Sequence, residues 1–185
     1  MPDVAEASHP WPWCVLTFDN RPAHIRFVYS YWTRAARINQ FYAQLHSYGY
    51  RHSQLTDSKC SHATQGVRAP AWCKLPAIAH ALLDGIDGRA CTRLFYVDSD
   101  AIVAEPSLTL DMYLARARAS GDEALLEASP PAWEILFASN YWFSSGLNSG
   151  VMWVNGSSAA CGILRAWWDV RRCQHASNRE WGEPP

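Results

Sequence analysis

Two carboxylates one residue apart, Asp98 and Asp100, directly follow the apolar run LFYV at residues 94–97. A run of this kind is typical of a buried strand, so both Asp side chains would lie at the strand's carboxyl end. A buried carboxylate without a partner is costly and needs a counter-charge. Mn²⁺ or Mg²⁺ would supply it, because hard divalent cations take carboxylate oxygens and also bind phosphates. The pattern Asp98-Ser99-Asp100 therefore predicts a metal site able to hold a diphosphate.

Two other interpretations of this Asp-x-Asp pattern remain open. Asp residues commonly cap turns and face water, with no ligand involved. Phosphatases of the haloacid-dehalogenase type also carry Asp-x-Asp after a strand, with the first Asp as nucleophile and the second as acid/base. In those enzymes the motif lies on the first strand and Thr or Val follows two residues after the second Asp. Here Ile102 occupies that position and a long segment precedes Asp98, which disfavours the phosphatase.

Apolar runs and amphipathic segments alternate along the chain around this pair. The runs predict strands at residues 13–18, 50–55, 94–97, 134–139 and 150–154. Helical spacing predicts helices at 30–47, 72–83 and 112–128 and another after 155–158, and polar composition predicts a loop at 57–70. This alternation indicates an α/β fold with a mainly parallel central sheet, in which ligands bind outside the carboxyl ends of the strands. The length suits one domain over residues 1–185.

The charge pattern and the hydropathy pattern argue against two kinds of partner. The net charge is −1 and the basic residues are scattered, so no nucleic-acid partner is expected. No window reaches about 18 uninterrupted apolar residues, and no basic region with an apolar stretch begins the sequence. Membrane association would therefore need a segment that this sequence does not contain, and a soluble, cytoplasmic protein is compatible with it.

The six cysteines are spread widely along the chain: Cys14, Cys60, Cys73, Cys91, Cys161 and Cys173. They show no zinc-ligand spacing, so a structural zinc site is not expected. Disulfides formed in a secretory compartment and free buried thiols are equal alternatives. Asn155-Gly156-Ser157 is a glycosylation sequon, but it lies where a helix should begin, which favours a capping role.

Four segments, in order, carry a family resemblance. They are NQFYA through HSYGY (39–50), AWCKLPAI (71–78), FYVDSDA (95–101), and LNSGVM (147–152) followed by Asn155 and WWD (167–169). They resemble the patterns YA…HGY, W-x-K-hydrophobic-P, W-hydrophobic-x-D-x-D-A and LN-[ST]-G-hydrophobic…N…W. These patterns characterise the galactosyl/mannosyl-transferase family of GT-A fold enzymes, which includes plant xyloglucan xylosyltransferases and fungal Golgi α-mannosyltransferase subunits.

The resemblance implies a GT-A fold, a Rossmann-like sandwich, and a retaining glycosyltransferase. Such an enzyme moves a hexose or pentose from a nucleotide-diphosphate sugar to a hydroxyl of a glycan or glycoconjugate, with Mn²⁺ or Mg²⁺ as cofactor. It also implies a location in the Golgi or another secretory lumen. The donor sugar, the nucleotide and the acceptor cannot be read from the sequence.

By matching position, the resemblance implies roles for the turn at residues 98–100 and for Lys74. Asp100 would be the main metal ligand, and Asp98 would contact the nucleotide ribose or the metal. Ser99 would lie close to the ribose or the diphosphate. Lys74 would either neutralise donor phosphate or pair with a carboxylate, and both alternatives stay open.

A second group of matched residues would line the donor sugar and the acceptor. Asn148 would project near the donor sugar from a loop before a strand, with Ser149 beside it, and Gly150 would allow close backbone approach. Trp142 and Phe143 are candidates for the wall that faces the acceptor. The expected catalytic residues are thus Asp98, Asp100 and Asn148, and the expected donor-binding residues are Lys74, Ser99, Asn148, Ser149 and Gly150.

The sequence departs from the family pattern after Trp168. Family members continue to an acidic-Gln segment near the reacting sugar and then to a late His that ligates the metal. Here Glu180 and Glu183 lack the Gln, and His175 lies too early for the metal role. We therefore expect a chain shortened at its C-terminal side. A catalytically inactive module that binds a nucleotide sugar or a glycan is the alternative function.

Overall fold

The computed structural model describes residues 9–19, 30–54, 60–119, 133–139 and 147–170. Seven strands lie in these ranges: β1 (Cys14–Asp19), β2 (Gly49–Gln54), β3 (Cys60–His62), β4 (Gly66–Arg68), β5 (Arg93–Asp98), β6 (Ile135–Ser139) and β7 (Leu147–Asn155). The helices in the same ranges are α1 (Tyr31–Leu45), α2 (Lys74–Asp84), α3 (Leu110–Ala119) and α4 (Ser158–Asp169). None of these described helices is both long and apolar enough to cross a membrane.

The central sheet has five strands in the order β2-β1-β5-β7-β6. Strands β2, β1 and β5 are parallel, whereas β7 runs antiparallel to both β5 and β6. In this described sheet, four strands therefore share one direction, and the prediction of an α/β fold with a mainly parallel sheet is confirmed. Because β7 is reversed, its first residues lie beside the carboxyl end of β5, where Val97 pairs with Val151.

Both faces of the sheet are covered, which explains why β5 reads as an uninterrupted apolar run. Leu94 and Tyr96 face the core that contains Ile78 of α2 and Leu164 of α4. The alternate residues of β5 face a second core, which contains Tyr42 of α1 and Leu110 of α3. Helices on two faces hold the sheet as the middle layer, and the carboxyl edge of β5 remains the place where polar side chains can emerge.

The predicted loop at residues 57–70 is wrong in part, because β3 and β4 lie within it and pair as a small antiparallel hairpin. Three-residue strands are too short for a period-2 pattern to be recognised. Gly66, the first residue of β4, has a φ of 71° and follows the turn at residues 63–65. The predicted helix at 72–83 begins two residues later, at Lys74, after a 3₁₀ turn over Pro70–Trp72. The predicted helix at 112–128 is described as far as Ala119, and its remainder lies outside the described residues.

Four cysteines form disulfides, Cys14–Cys91 and Cys60–Cys73. Cys161 is a free thiol, and Cys173 lies outside the described residues. The sequence left disulfides and free thiols as equal alternatives, and the structure contains both.

The predicted helix start at the sequon is confirmed. The Ser157 hydroxyl caps α4 by accepting a hydrogen bond from the Ala160 amide at 3.0 Å. The capping interaction satisfies one of the amide groups that the first turn of a helix leaves without an internal partner.

Three tyrosines with raised pKa values should lower the free energy of unfolding at high pH. The Tyr42 hydroxyl donates to the Leu108 carbonyl at 2.8 Å, and burial raises the pKa of Tyr42, Tyr48 and Tyr50 above the usual 10.0. A raised phenol pKa means that the unfolded chain loses protons first. The free energy of unfolding should therefore be unaffected by these phenols below pH 10.0 and fall as pH rises above it.

Thermal melting across that range, with phenolate absorbance followed in parallel, measures this effect. Tyr42→Phe should cost about 1 kcal/mol at neutral pH and flatten the alkaline decline. A melting temperature that stays constant after the unfolded-state phenols ionise would contradict the assignment.

Candidate active site

The polar residues with a possible chemical role meet at the carboxyl edge of the central sheet. Asp98 is the last residue of β5, and in register it pairs with Phe18 of β1. Asp19 follows Phe18 as the last residue of β1, so a second carboxylate lies at the same edge. From the other side, the reversed strand β7 brings its first residues to Asp98. Three strands that are distant in sequence thus converge on one polar edge.

The Asp98 carboxylate is held by two side chains, Lys74 and Tyr96. The Lys74 ammonium lies 3.3 Å from Oδ1 and 3.4 Å from Oδ2, and the Tyr96 hydroxyl donates to Oδ1. Burial, reinforced by the negative charge of Asp98, raises the pKa of Tyr96 well above 10.0, so the phenol stays protonated and can donate. The Asp98 side chain is still 35% exposed and can therefore reach a ligand.

Lys74 connects this carboxylate to β7. Its ammonium also donates to the Ser149 carbonyl at 3.0 Å and lies 3.3 Å from the Ser149 hydroxyl. The residue is 7% exposed. Of the two roles that the sequence left open, the structure shows the pairing with a carboxylate, and Asp98 is the partner.

Gly150 is required by the close approach between β7 and Asp98. A Cβ at this position would lie 2.9 Å from Asp98 Oδ2 and 2.9 Å from Asn148 Oδ1, closer than real Cβ contacts allow. The Gly150 amide donates to Asn148 Oδ1 at 2.8 Å. The backbone at Gly150 thus approaches the Asp98 carboxylate closely, while the predicted role of Gly150 in donor binding stays a prediction.

One detail of the prediction for Asn148 is corrected. Asn148 lies within β7, not in a loop before the strand, because Leu147 and Asn148 continue the pairing with Ser139 and Ala138 of β6. The register between β6 and β7 shifts next to Phe137, so this part of the ladder resumes beyond an irregularity. A local sequence pattern cannot show such pairing, because the partner strand decides it.

The turn after β5 separates its two remaining polar residues. The Ala101 amide donates to the Asp98 carbonyl at 3.0 Å and closes the turn. Ser99 is buried in it, whereas Asp100 is exposed. The buried Asn39 of α1 secures the following segment by donating to the Ala101 carbonyl at 2.9 Å and accepting from the Val103 amide at 3.1 Å. Asn39 was not singled out from the sequence, although it begins a segment that carries the family resemblance.

A cleft of about 180 Å³ adjoins Asp19 between α1 and strands β1 and β2. Its lining combines aromatic side chains, Trp32 and Tyr50, with the polar groups Asp19, Arg37 and His52. Burial lowers the pKa of His52, and the neighbouring Asp19 charge opposes that shift. Sequence reasoning missed Asp19, although an apolar run followed by Asp, the signal used for Asp98, also occurs at residues 14–19.

The residues at this edge fit a hard cation that takes most of its ligands from water and from a bound substrate. Asp98 and Asp100 provide carboxylate oxygens, and within the described ranges no third His, Cys, Asp or Glu joins them in a preformed cluster. Mg²⁺ is commonly bound in this way, by one or two carboxylates and substrate phosphates. The site therefore suits metal that arrives with a diphosphate better than a permanent metal cage.

Two predicted acceptor-wall residues, Trp142 and Phe143, lie outside the described residues. The same is true of His175, Glu180 and Glu183. The described site therefore contains only residues that were predicted for the donor side.

The comparisons with known proteins concern the fold. No family model matches the sequence, and no curated protein matches it. Among solved structures, the chain is similar to a glycosyltransferase involved in the glycosylation of the major capsid of PBCV-1. The TM-score is 0.58 and the identity 16%, over 86% of this chain and 67% of that chain. This likeness confirms the predicted GT-A-type α/β fold; the narrower galactosyl/mannosyl-transferase resemblance stays a prediction.

Proposed function

We propose that this chain is a glycosyltransferase domain that binds a nucleotide-diphosphate sugar at the carboxyl edge of its sheet. Its acceptor would be a hydroxyl of a glycan or glycoconjugate. One observation carries the proposal: a partly exposed carboxylate, Asp98, is fixed by Lys74 and Tyr96 under Gly150 and lies two residues before the exposed Asp100. The similar fold of a glycosyltransferase supports it.

The donor diphosphate would lie over the turn at residues 98–100. Mn²⁺ or Mg²⁺ held by Asp98 and Asp100 would neutralise charge on the departing nucleoside diphosphate. Lys74 and Tyr96 keep the Asp98 carboxylate in one orientation, which reduces the reorganisation needed when the donor binds. Ser99, the residue after Asp98, and Ser149, whose hydroxyl lies 3.3 Å from the Lys74 ammonium, would offer hydroxyl groups to the donor.

The nucleoside would extend toward the cleft beside Asp19. This cleft belongs to the same carboxyl edge, because Phe18 pairs with Asp98 in register. Trp32 and Tyr50 offer faces on which a base or ribose can pack, and Asp19 and His52 offer polar groups for hydroxyls or ring nitrogens. The donor sugar would then lie on the other side of Asp98, next to Asn148.

Transfer would proceed by positioning and electrostatic stabilisation. The acceptor oxygen forms a bond to the anomeric carbon as the bond from that carbon to the diphosphate oxygen breaks, and the acceptor proton passes to the departing phosphate. The retaining outcome implied by the family resemblance requires attack from the face that the diphosphate leaves. Holding both reactants in contact and stabilising the leaving group supply the rate enhancement.

A module that binds a nucleotide sugar without transferring it is the second candidate. It would use the same residues, with Asp98 held by Lys74 and Tyr96, and would not require an acceptor side. A haloacid-dehalogenase-type phosphatase is disfavoured, because its motif belongs to a first strand, whereas Asp98 ends β5, which four other described strands precede.

Calorimetric titration with UDP and GDP, with and without Mn²⁺, tests the proposal. We expect binding of one nucleotide that requires the metal and weakens about tenfold in Asp100→Asn, a loss of about 1.4 kcal/mol. Asp84→Asn is the matched control, because Asp84 is also exposed but lies on α2 with His80 as its partner.

Turnover separates the two candidates. Release of nucleoside diphosphate from the matching sugar donor indicates a transferase. Metal-dependent nucleotide binding with no release of nucleoside diphosphate, whichever donor and acceptor are added, indicates the binding module. No binding of either nucleotide by folded protein would overturn both.

A further inference from the structure

The hairpin formed by β3 and β4 lies apart from the central sheet and is attached to the two helices α2 and α4. The Cys60–Cys73 disulfide ties it covalently to the residue before α2. The Arg68 guanidinium lies 4.4 Å from the Trp72 ring centroid and 5.0 Å from that of Trp168. We call Cys60, Arg68 and Cys73 the hairpin brace.

The hairpin also forms hydrogen bonds with the end of α4. Arg68 is 1% exposed, and its Nη2 donates to the Trp168 carbonyl at 2.5 Å. His62 pairs with Asp169 at 2.8 Å, and the Gln65 amide donates to the Asp169 carbonyl at 2.7 Å. The hairpin therefore links the end of α4 to the beginning of α2 and gives the brace a fixed support.

The first residue of α2 is Lys74, and the helix itself does little to keep it in place. Cys73 occupies the N-cap position without a side-chain capping hydrogen bond, and the first turn contains no acidic residue. A cation at a helix N-terminus is also disfavoured by the helix dipole. The residues before α2 form a 3₁₀ turn in which the Cys73 amide donates to the Pro70 carbonyl at 3.0 Å, so the disulfide at Cys73 acts on the segment that leads directly into Lys74.

We propose that the hairpin brace is a positioning device for the Lys74 ammonium. The disulfide restrains Cys73, and Lys74, one residue later, is thereby kept within 3.3 Å of Asp98 Oδ1 and 3.0 Å of the Ser149 carbonyl. Without the covalent tie, the first turn of α2 opens and the ammonium moves toward water. Asp98 then loses the partner that orients it. The effect on donor binding rests on the proposed function, whereas the effect on Lys74 does not.

The second disulfide provides a matched control within the same chain. Cys14 begins β1, and Cys91 precedes β5, so this bond lies at the opposite edge of the sheet from Asp98. Breaking either disulfide should lower stability. Breaking Cys60–Cys73 alone should release Lys74.

The experiment compares Cys60→Ala/Cys73→Ala with Cys14→Ala/Cys91→Ala, because alanine, unlike serine, cannot cap the N-terminus of α2 at position 73. The acylation rate of Lys74 by an amine-reactive ester, followed by mass spectrometry, should rise at least several-fold in the first pair and stay at the wild-type value in the second. The Kd for the nucleotide that wild type binds with Mn²⁺ should rise about tenfold in the first pair alone, corresponding to about 1.4 kcal/mol. Melting temperatures of both pairs show whether general destabilisation accounts for the change.

Equal Lys74 acylation in wild type and the first pair would overturn the proposal. If that pair does not fold, limited dithiothreitol on wild type replaces it: Cys60 is partly exposed and Cys14 is buried, so Cys60–Cys73 should be reduced first. Dithiothreitol supplies two electrons and two protons to the disulfide and becomes a cyclic disulfide. Lys74 acylation that does not increase with reduction of Cys60–Cys73 would then overturn it. If wild type binds no nucleotide, the proposed function fails, and the Lys74 measurement still decides on the brace.

Discussion

Replacing Asp98 with asparagine should abolish metal-dependent nucleotide binding and destabilise the protein at the same time. Asp98 is the carboxylate that receives the buried Lys74 ammonium, and Tyr96 donates to it as well. Neutralising it leaves that ammonium without its counter-charge, at a cost of about 1–3 kcal/mol of stability. It also removes one of the two carboxylates assigned to the metal. Because one of the two carboxylates assigned to the metal is lost, we expect nucleotide affinity to fall about a hundredfold or more, equivalent to at least about 2.8 kcal/mol.

Asp111→Asn is the control for Asp98→Asn. Asp111 likewise accepts from one basic and one aromatic side chain, Arg93 at 2.7 Å and the Trp13 indole at 3.1 Å, but it lies on α3. Both variants should melt at lower temperature than wild type, and only Asp98→Asn should lose binding in calorimetry with Mn²⁺. If Asp98→Asn bound the nucleotide with wild-type affinity, Asp98 would not be part of the nucleotide-binding site.

The second large effect is expected from a single added methyl group, in Gly150→Ala. The new Cβ would lie 2.9 Å from both Asp98 Oδ2 and Asn148 Oδ1, so one of these side chains or the strand β7 must move. Overpacking of this kind costs about 1–3 kcal/mol of stability. Because both displaced groups belong to the proposed donor site, we expect affinity for the nucleotide to fall at least about tenfold, equivalent to about 1.4 kcal/mol.

Gly162→Ala tests whether the effect is specific to the position. Gly162 lies within α4, and a Cβ there would meet no heavy atom within 4 Å. Alanine should therefore stabilise the helix by about 1 kcal/mol and leave nucleotide binding unchanged. Chemical denaturation and calorimetry on the two variants give both quantities. Undiminished binding in Gly150→Ala would show that the approach of β7 to Asp98 is not needed for the site.

Elements with local signals could be predicted from the amino-acid sequence alone. The apolar run before Asp98 predicted β5, and helical spacing predicted α1 and α2 close to their observed positions, because burial on a repeating face leaves a periodic pattern in the chain. The same local signals placed Asp98 at a strand end. Gly150 was assigned through the family resemblance, as a position that allows close backbone approach.

Packing in the folded protein determines which of these strands and side chains come into contact. The reversed direction of β7, the pairing of Lys74 with Asp98 and the choice of Cys73 as the partner of Cys60 all join positions that are separated along the chain. Hydrogen-bond and ion-pair partners are set by which surfaces pack together, and six cysteines alone allow about fifteen complete pairings. Asp19 is a further example. An apolar run precedes it, as one precedes Asp98, but its position at the same edge as Asp98 follows from the parallel register of β1 and β5. The type of each residue and its place in a strand or helix follow from the local sequence. The candidate site forms only because packing brings strands that are distant in sequence to one edge of the sheet.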